Sequence, residues 1–521
     1  MTKIVTAAQM QELDRRTITE AHIPATLLME RAGAGIVSSL EERWGSVRGK
    51  TVTIVCGKGN NGGDGFVAAR LLRRRQAKVR VLALVSPREL SRDAATMYKQ
   101  FVRSGGKSSL YHYTSKAQTQ TLLRDSDIVI DALLGTGLSS QVTGRYAEVI
   151  DSINEAHRPV VAVDLPSGLH ADTGAILGRI VRASLTVTFG LPKLGLYQGQ
   201  GIDHAGEVAI VDIGIPPVYV DAVAGRFSLI TRSAVQAYLP RRRPSSHKGT
   251  FGHAGIIAGS VGKTGAAALA ARAALRVGTG LVTVATPSSV NDVLEAKLLE
   301  AMTVPMPETK ARTLARNALD RLVSFMAART AIAIGPGLST APETVELIQA
   351  LTKQLDRPAV FDADALNALT GRTALLAACK VPPIITPHPG EMARLEPEAT
   401  SQTVNDDRLG IAARFARERG LFVVLKGAKT VVARPDGAVA ICPTGNPGMA
   451  TAGTGDVLTG MMVGLLAQGL PAWEAACAAT YLHGMAGDLA AAGKGQAGMI
   501  AGDLVEQIPY ALKLVDETAG Y

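Results

Sequence analysis

The chain alternates short runs of apolar, often β-branched residues with longer stretches whose apolar positions recur every three or four residues. In the first half the runs are Thr51 to Val55, Val79 to Val85, Ile128 to Ile130, Val160 to Val163 and Leu185 to Phe189. Such continuous runs predict strands buried on both faces, and the helical patterns between them predict crossovers, so the sheet is read as mainly parallel and covered by helices. Two helices precede it. Thr6-Ala7-Ala8-Gln9 has the form of a capping box ahead of Met10, Leu13 and Ile18, and a second helix from about Ala25 carries Leu28, Ala32, Ile36 and Leu40. The second half repeats the alternation, with strands at His253 to Ala258, Leu281 to Ala285, Ala331 to Ile334, Ala359 to Phe361, Pro383 to Ile385 and Leu421 to Leu425. Around Ile213 to Arg226, Gly214-Ile215-Pro216-Pro217 ends the first pattern and no long apolar element follows until Leu229, which places a short linker there. The expected fold is α/β, with two three-layer α/β/α domains at 1–220 and 226–521.

The polar residues gather where strands end, which is where open parallel sheets bind ligands. After the strand at Thr51 comes G-K-G-N-N-G-G-D-G, Gly57 to Gly65, then a helix beginning Phe66-Val67-Ala68-Ala69. Gly57, Gly59 and Gly62 satisfy the dinucleotide spacing, yet the next strand, Val79 to Val85, offers no acidic residue to hold a ribose. An ordinary hydride-transferring site is therefore rejected, while phosphate binding at the helix start is kept. Asp131 opens Asp131 to Gly137, and Asp164 opens Asp164-Leu165-Pro166-Ser167-Gly168. Together with the carbonyl-rich Asn61 loop these aspartates suit either oxygen ligation of a cation or an acid/base pair, and spacing does not choose between them. Lys193, after another strand, is either a counter-charge for substrate phosphate or a solvated lysine.

In the second half the strand ends are Gly335-Pro336-Gly337, Asp362-Ala363-Asp364 with Asn367, Thr386-Pro387-His388-Pro389-Gly390-Glu391 and Lys426 to Thr430. His388, between two prolines, is stiffly placed for a ligand contact. Gly445 to Gly460 reads G-N-P-G-M-A-T-A-G-T-G-D-V-L-T-G, a loop whose glycines allow close ligand approach before an apolar helix. A helix start favours an anion in front of it, and a carboxylate there can take the proton of an attacking hydroxyl instead. Asp456 is thus the candidate general base, its bland alternative being a helix cap. Gly262-Lys263-Thr264 imitates a P-loop ending, but Ile257 stands where that motif needs glycine. The helix Gly265 to Val277, with seven alanines, suits close packing under a ligand floor. The basic cluster Arg241 to Gly249 either reaches a diphosphate or is a solvated loop.

Length and composition narrow the classes. A chain of 521 residues with 47% hydrophobic content suits two or more domains with sizeable cores. The net charge is +10, but 26 basic residues face 21 acidic ones before residue 225 and 29 face 24 after it, so there is no dedicated basic arm. With aromatics at 4%, few base-stacking platforms exist, and nucleic acid is not an expected partner. Cys56, Cys379, Cys442 and Cys477 are widely spaced and read as reduced core residues. The start lacks a signal-peptide core and no uninterrupted apolar run reaches about 18 residues, so a cytoplasmic protein without membrane contact is expected.

Through Gly57 to Gly65, Asp131 to Gly137 and Asp164 to Gly168, the first part resembles the epimerase domain of the bifunctional NAD(P)H-hydrate repair family. That family fuses an NAD(P)HX epimerase to an ADP-dependent NAD(P)HX dehydratase. The resemblance implies a Rossmann-like domain in which Asn60, Asn61, Gly62, Gly63 and Asp64 and Gly135, Thr136, Gly137, Leu138, Ser139, Ser140 and Gln141 line the hydrate. It implies further that Asn61, Asp131 and Ser167 hold potassium and that Tyr146 and Asp164 complete the site. Asp164 is the expected proton shuttle, because epimerising C6 means losing and regaining the C6–O bond, and a positioned acid makes hydroxide a leaving group. The second part resembles ribokinase-like kinases through Ala452 to Asp456, and more closely the dehydratase. There the resemblance implies Lys426, Gly427, Ala428, Lys429, Thr430 and Gly455 at the nucleotide, and Ala266, Gly337, His388 and Asp456 at the hydrate.

The two resemblances cover nearly the whole chain. They imply repair of NADHX and NADPHX with K⁺, Mg²⁺ and ADP, with ATP the less expected donor, and a homo-oligomer. The rival expectation is a ribokinase-like kinase of a small alcohol, which stops at the phosphate ester and carries a non-catalytic nucleotide-binding N-terminal module.

Overall fold

The structure, a computed structural model, describes residues 1–516. Lys3 to Gly225 form one compact unit, and the chain from Arg226 onward, together with Met1 and Thr2, forms the other.

In the first unit the strands are β1 (Thr51–Cys56), β2 (Lys78–Ala83), β3 (Leu110–His112), β4 (Ile128–Ala132), β5 (Val160–Val163), β6 (Leu185–Phe189) and β7 (Glu207–Val211). They lie in the order β3-β2-β1-β4-β5-β6-β7 with every pairing parallel. The order turns back between β1 and β4, so the loops leaving these two strands part and open a crevice. Register sets them level, with Cys56 opposite Ala132 and Asp131 opposite Ala162. One face of the sheet packs Val52, Ile54, Phe66, Leu72 and Ile130, and the other packs Leu82, Val129, Val149, Ile150 and Ile153, which makes the expected three layers.

Helix α1 (Ala7–Thr19) begins with both arms of the Thr6/Gln9 capping box and buries Met10 and Leu13. Helix α2 (Ala25–Trp44) turns Leu28, Ala32, Ile36 and Leu40 inward. The next helix departs from expectation. It is α3, Asn60–Arg74, and it begins six residues before Phe66, taking in the glycines read as a loop. Those glycines serve packing. A Cβ on Gly62 would lie 2.2 Å from the Gly57 carbonyl oxygen, and one on Gly65 would lie 2.7 Å from Ala132 Cβ. Glycine lets the helix start press onto the ends of β1 and β4, a closeness that spacing alone does not reveal.

In the second unit the strands are β8 (Phe227–Leu229), β9 (His253–Ile257), β10 (Leu281–Pro287), β11 (Met302–Met306), β12 (Ala331–Ile334), β13 (Ala359–Phe361), β14 (Ile384–Ile385), β15 (Phe422–Leu425), β16 (Val431–Ala433) and β17 (Val439–Ile441). These strands run β8-β17-β16-β15-β14-β13-β12-β9-β10-β11, and β16 alone among them is antiparallel to its neighbours. The hairpin of β16 and β17 was not among the expected strands. Each is three residues long, too short for an apolar pattern, although Pro435-Asp436-Gly437 between them is a turn signal. Helix α4 (Thr264–Arg276) packs its alanines against α6 (Thr454–Ala467); α5 (Pro389–Leu395) lies between them in sequence. A Cβ on Gly460 of α6 would sit 2.1 Å from the Ala270 carbonyl oxygen, so only small residues permit this approach. All four cysteines are free, with Cys56, Cys442 and Cys477 buried. Among the described residues no helix is long and apolar enough to cross a membrane.

Candidate functional site

At the β1/β4 crevice lies a cavity of about 740 Å³. Asn60, Asn61, Asp64, Gly135 to Gln141, Tyr146 and Asp164 all line it. Gly62 and Gly63 do not line it. They face inward along α3, where a Cβ on Gly63 would meet Met29 Sδ at 2.5 Å.

Asp131 and Ser167 lie beneath this cavity, both fully buried. Ser167 donates to Asp131 through its backbone N–H at 2.8 Å and through Oγ at 2.6 Å, and the Leu133 N–H adds a third bond at 3.2 Å. Asn61 donates to the Leu134 carbonyl at 3.1 Å, and the Leu134 N–H donates to Ser167 Oγ at 2.9 Å, so the three residues share one network. Burial pushes the Asp131 carboxyl up to about 6 against those hydrogen bonds. Its partners are neutral, and among the described residues it has no ion pair.

Asp164 follows β5 with a φ of 66°, a left-handed conformation uncommon for non-glycine residues. Its Oδ1 accepts from Lys193 Nζ at 2.5 Å, Thr188 Oγ1 at 3.0 Å and the Phe189 N–H at 3.5 Å. Lys193 is 1% exposed and also donates to Thr188 Oγ1 and the Phe189 carbonyl, which excludes the solvated reading. Asp14 of α1, which the sequence reading did not single out, lines the same cavity. Burial raises its carboxyl to about 6, with Lys193 opposing and Asp164 adding to the rise. Asp64 is raised well above its ordinary value by burial, then by Asp164 and Asp14. The Tyr146 hydroxyl is buried in the cavity wall, and burial raises it as well.

The second unit gathers its polar groups around Asp362, at the end of β13. Asp362 is 1% exposed and accepts from Lys426 Nζ at 2.7 Å, Thr386 Oγ1 at 2.8 Å and Thr459 Oγ1 at 2.8 Å. Burial alone would lower Lys426, but Asp362 and Glu391, whose Oε2 is 3.7 Å away, outweigh it and hold the ammonium above its usual range. Asp456 is the third residue of α6, behind Gly453 with its φ of 92°. Burial pushes its carboxyl up to about 7, with Asp362 adding and Lys426 opposing. Gly455 packs beside Lys426, whose Nζ is 3.4 Å from where a Cβ would be.

His388 caps α5. Its Nδ1 accepts from the Gly390 and Glu391 N–H groups at 3.0 and 3.3 Å, while Glu391 Oε2 returns the bond to the His388 N–H. The ring therefore carries its proton on Nε2, which lies 3.5 Å from Glu391 Oε1. Ala266 and Gly337 are neighbours, with 3.3 Å between Ala266 Cβ and a Cβ built on Gly337. Gly427, Ala428, Lys429 and Thr430 make the loop from β15 to β16, where Thr430 Oγ1 donates to the Gly427 carbonyl and Lys429 Nζ to that of Pro443. The basic cluster stays at the surface, with Arg242 donating to the Gly278 carbonyl over the Phe251 ring.

Asp362 and Glu391 were quoted within strand-end strings but not singled out. Two aspartates straddling one residue at a strand end were the available signal. What sequence did not carry is that Lys426, 64 residues away, closes on the first of them.

A sheet of this order, with an acid in the first turn of a helix behind a glycine loop, defines the ribokinase-like class, here joined to a Rossmann-like α/β unit. Residues 254–510 match the family described as NAD(P)H-hydrate dehydratase, and residues 25–195 the one described as YjeF-related protein N-terminus. The chain is 48% identical over 516 residues to the bifunctional NAD(P)H-hydrate repair enzyme of Moorella thermoacetica, covering 99% of this chain and 97% of that one. The Escherichia coli enzyme of the same name is 37% identical over 455 residues, 87% of this chain and 83% of that one. The crystal structure of the ADP/ATP-dependent NAD(P)H-hydrate dehydratase of Bacillus subtilis, co-crystallised with ATP and Mg²⁺, matches with 32% identity and a TM-score of 0.50, covering 56% of this chain and 100% of that one. The chain belongs to the family of bifunctional NAD(P)H-hydrate repair enzymes.

Proposed function

We propose that this protein repairs hydrated nicotinamide cofactors: the first unit interconverts the R and S epimers of NADHX and NADPHX, and the second dehydrates the S epimer with ADP. The observation that carries the dehydratase reading is Asp456, a half-buried carboxyl raised to about 7 in the first turn of a helix that follows a glycine loop. In its ionised form Asp456 takes the proton of the C6 hydroxyl as that oxygen attacks the terminal phosphoryl group of ADP, and AMP departs. Mg²⁺ bound with the nucleotide would spread the phosphoryl charge. The ring nitrogen lone pair then helps the C6–O bond break, C5 loses a proton to solvent or phosphate, and the C5–C6 double bond returns. Lys426, Gly455 and the loop Gly427 to Thr430 are assigned to the nucleotide, and Ala266, Gly337 and His388 to the hydrate.

In the first unit Asn60, Asn61, Asp64 and Gly135 to Gln141, with Tyr146, hold the substrate over Asp164. The donor set beneath it suits a potassium ion: Asn61 Oδ1, Ser167 Oγ and a buried carboxylate whose partners are neutral are hard oxygens lacking a counter-charge. An ion held there would supply positive charge under the cavity floor.

The curated relatives carry the repair name across both units, which supports repair over a small-alcohol kinase. The test is to add the protein, Mg²⁺, K⁺ and ADP to both NADHX epimers and follow NADH absorbance. Full recovery faster than spontaneous epimerisation, with AMP and phosphate formed, is the expected result. Recovery that halts after one epimer would remove the epimerase, and a stable phosphate ester without NADH would leave the kinase.

A further inference from the structure

The epimerase reading uses Asp164 and leaves another carboxylate of the same cavity without a task. Asp14 projects from α1 into that cavity, which Asp64, Asp164 and Lys193 also line, and among the described residues it makes no hydrogen bond or ion pair. Asp164 is differently circumstanced. Its Oδ1 is already occupied by an ammonium, a hydroxyl and an amide donor, and only Oδ2 is left to meet a ligand. A single free carboxylate oxygen on one side of the substrate can serve one face of C6. Changing the configuration at C6 needs both faces served, because oxygen must leave from one face and return on the other.

We propose, resting on the epimerase reading above, that Asp14 is a second catalytic residue of the first unit, giving the C6 hydroxyl the proton with which it departs as water, while Asp164 Oδ2 takes a proton from the water that returns on the opposite face. The electron count closes. The C6–O bond breaks with its pair going to the departing oxygen, and the ring nitrogen lone pair forms the N1–C6 double bond. The resulting planar cation is balanced by the Asp164 carboxylate. Water then adds to C6, the pair returns to nitrogen, and the surplus proton ends on Asp164. In the reverse direction the two carboxyls exchange roles, and one proton passing through solvent resets them. No oxidant or reductant is involved.

The groups facing Asp14 explain why it and not its neighbour supplies the proton. Burial raises it, Lys193 opposes and Asp164 adds, and the outcome is a carboxyl at about 6. Asp64, on α3, is raised well above its ordinary value by burial, and Lys58 stands in the loop between β1 and α3 at the same cavity. A proton donor whose affinity lies near the working pH combines a usable protonated fraction with a fast transfer.

The experiment takes the full-length protein and pure R-NADHX with ADP, Mg²⁺ and K⁺, with the Asp164→Asn protein added in excess as dehydratase so that at every pH NADH appears only as fast as epimerisation supplies the S form. Asp14→Asn is expected to lower kcat for this conversion by about 100-fold or more, the usual worth of a positioned acid. S-NADHX dehydration should be unchanged, and KM for the R epimer should stay within about twofold, which shows the first unit folded. Asp14→Glu should return part of kcat. With spontaneous epimerisation subtracted, wild-type kcat should fall as pH rises above about 6, and the Asn variant should lose that limb. Asp131 titrates in the same range but stays in both proteins, so it does not account for the difference. An Asn variant with wild-type kcat, or one changed only in KM, overturns the proposal and leaves Asp164 acting alone. Wild-type protein no faster than the spontaneous reaction removes the epimerase reading itself, and this proposal with it. Should the Asn variant fail to fold, a flat wild-type profile between pH 5 and 7 overturns the proposal equally.

Discussion

Lys193 and Asp164 are 29 residues apart, and each is buried on account of the other. Removing one partner strands a charge, so Lys193→Ala should destabilise the first unit by about 3–5 kcal/mol. Urea unfolding followed by Trp44 fluorescence in a Trp473→Phe background reads this unit, because the chain's two tryptophans fall one in each unit. At Asp456 the expectation concerns pH. A general base must be ionised, and burial has moved this carboxyl up to about 7, so dehydration should speed up as pH rises through neutrality. Asp456→Asn should flatten that profile and lower kcat by about 10²- to 10⁴-fold, measured with S-NADHX so that epimerisation plays no part. The aspartates and glycines after the strands could be read in the sequence because residue type and strand-end position are local. Lys193, Asp14 and Asp362 were less legible because their surroundings come from elsewhere in the chain. Asp14 sits on an amphipathic helix where an acidic residue ordinarily faces water, and only the cavity shows that it does not.

At the scale of elements, apolar runs marked the strands that are buried on both faces, whereas the parallel strands β3, β7, β8 and β11, which are short or partly exposed, were not among those expected. The β16 and β17 hairpin escaped because three residues carry no period. The start of α3 was misplaced because glycine signals a loop and a tight helix contact alike. The second meaning also governs α4 and α6, whose separation is set by Gly460 against the Ala270 backbone. Gly460→Val should push α6 away and carry Asp456 with it. A destabilisation of about 1–3 kcal/mol is expected, together with a larger loss of dehydratase than of epimerase rate. Parallel assays on the single epimers separate these from general unfolding, which would lower both.

At the scale of the whole molecule, each unit has its own sheet, its own core and its own acidic site. Two proteins that each lack one activity should therefore complement each other. An equimolar mixture of Asp164→Asn and Asp456→Asn should recover NADH from both epimers, whereas neither does so alone. A mixture that stays incomplete would mean that intermediates must pass within one chain. The division at Gly225 also bears on supply. Because one polypeptide carries both units, every copy made delivers one of each, and the ratio of the two capacities is independent of expression level. A cell can then raise or lower repair as a whole, but it alters the balance between the steps only through the turnover numbers of the two units.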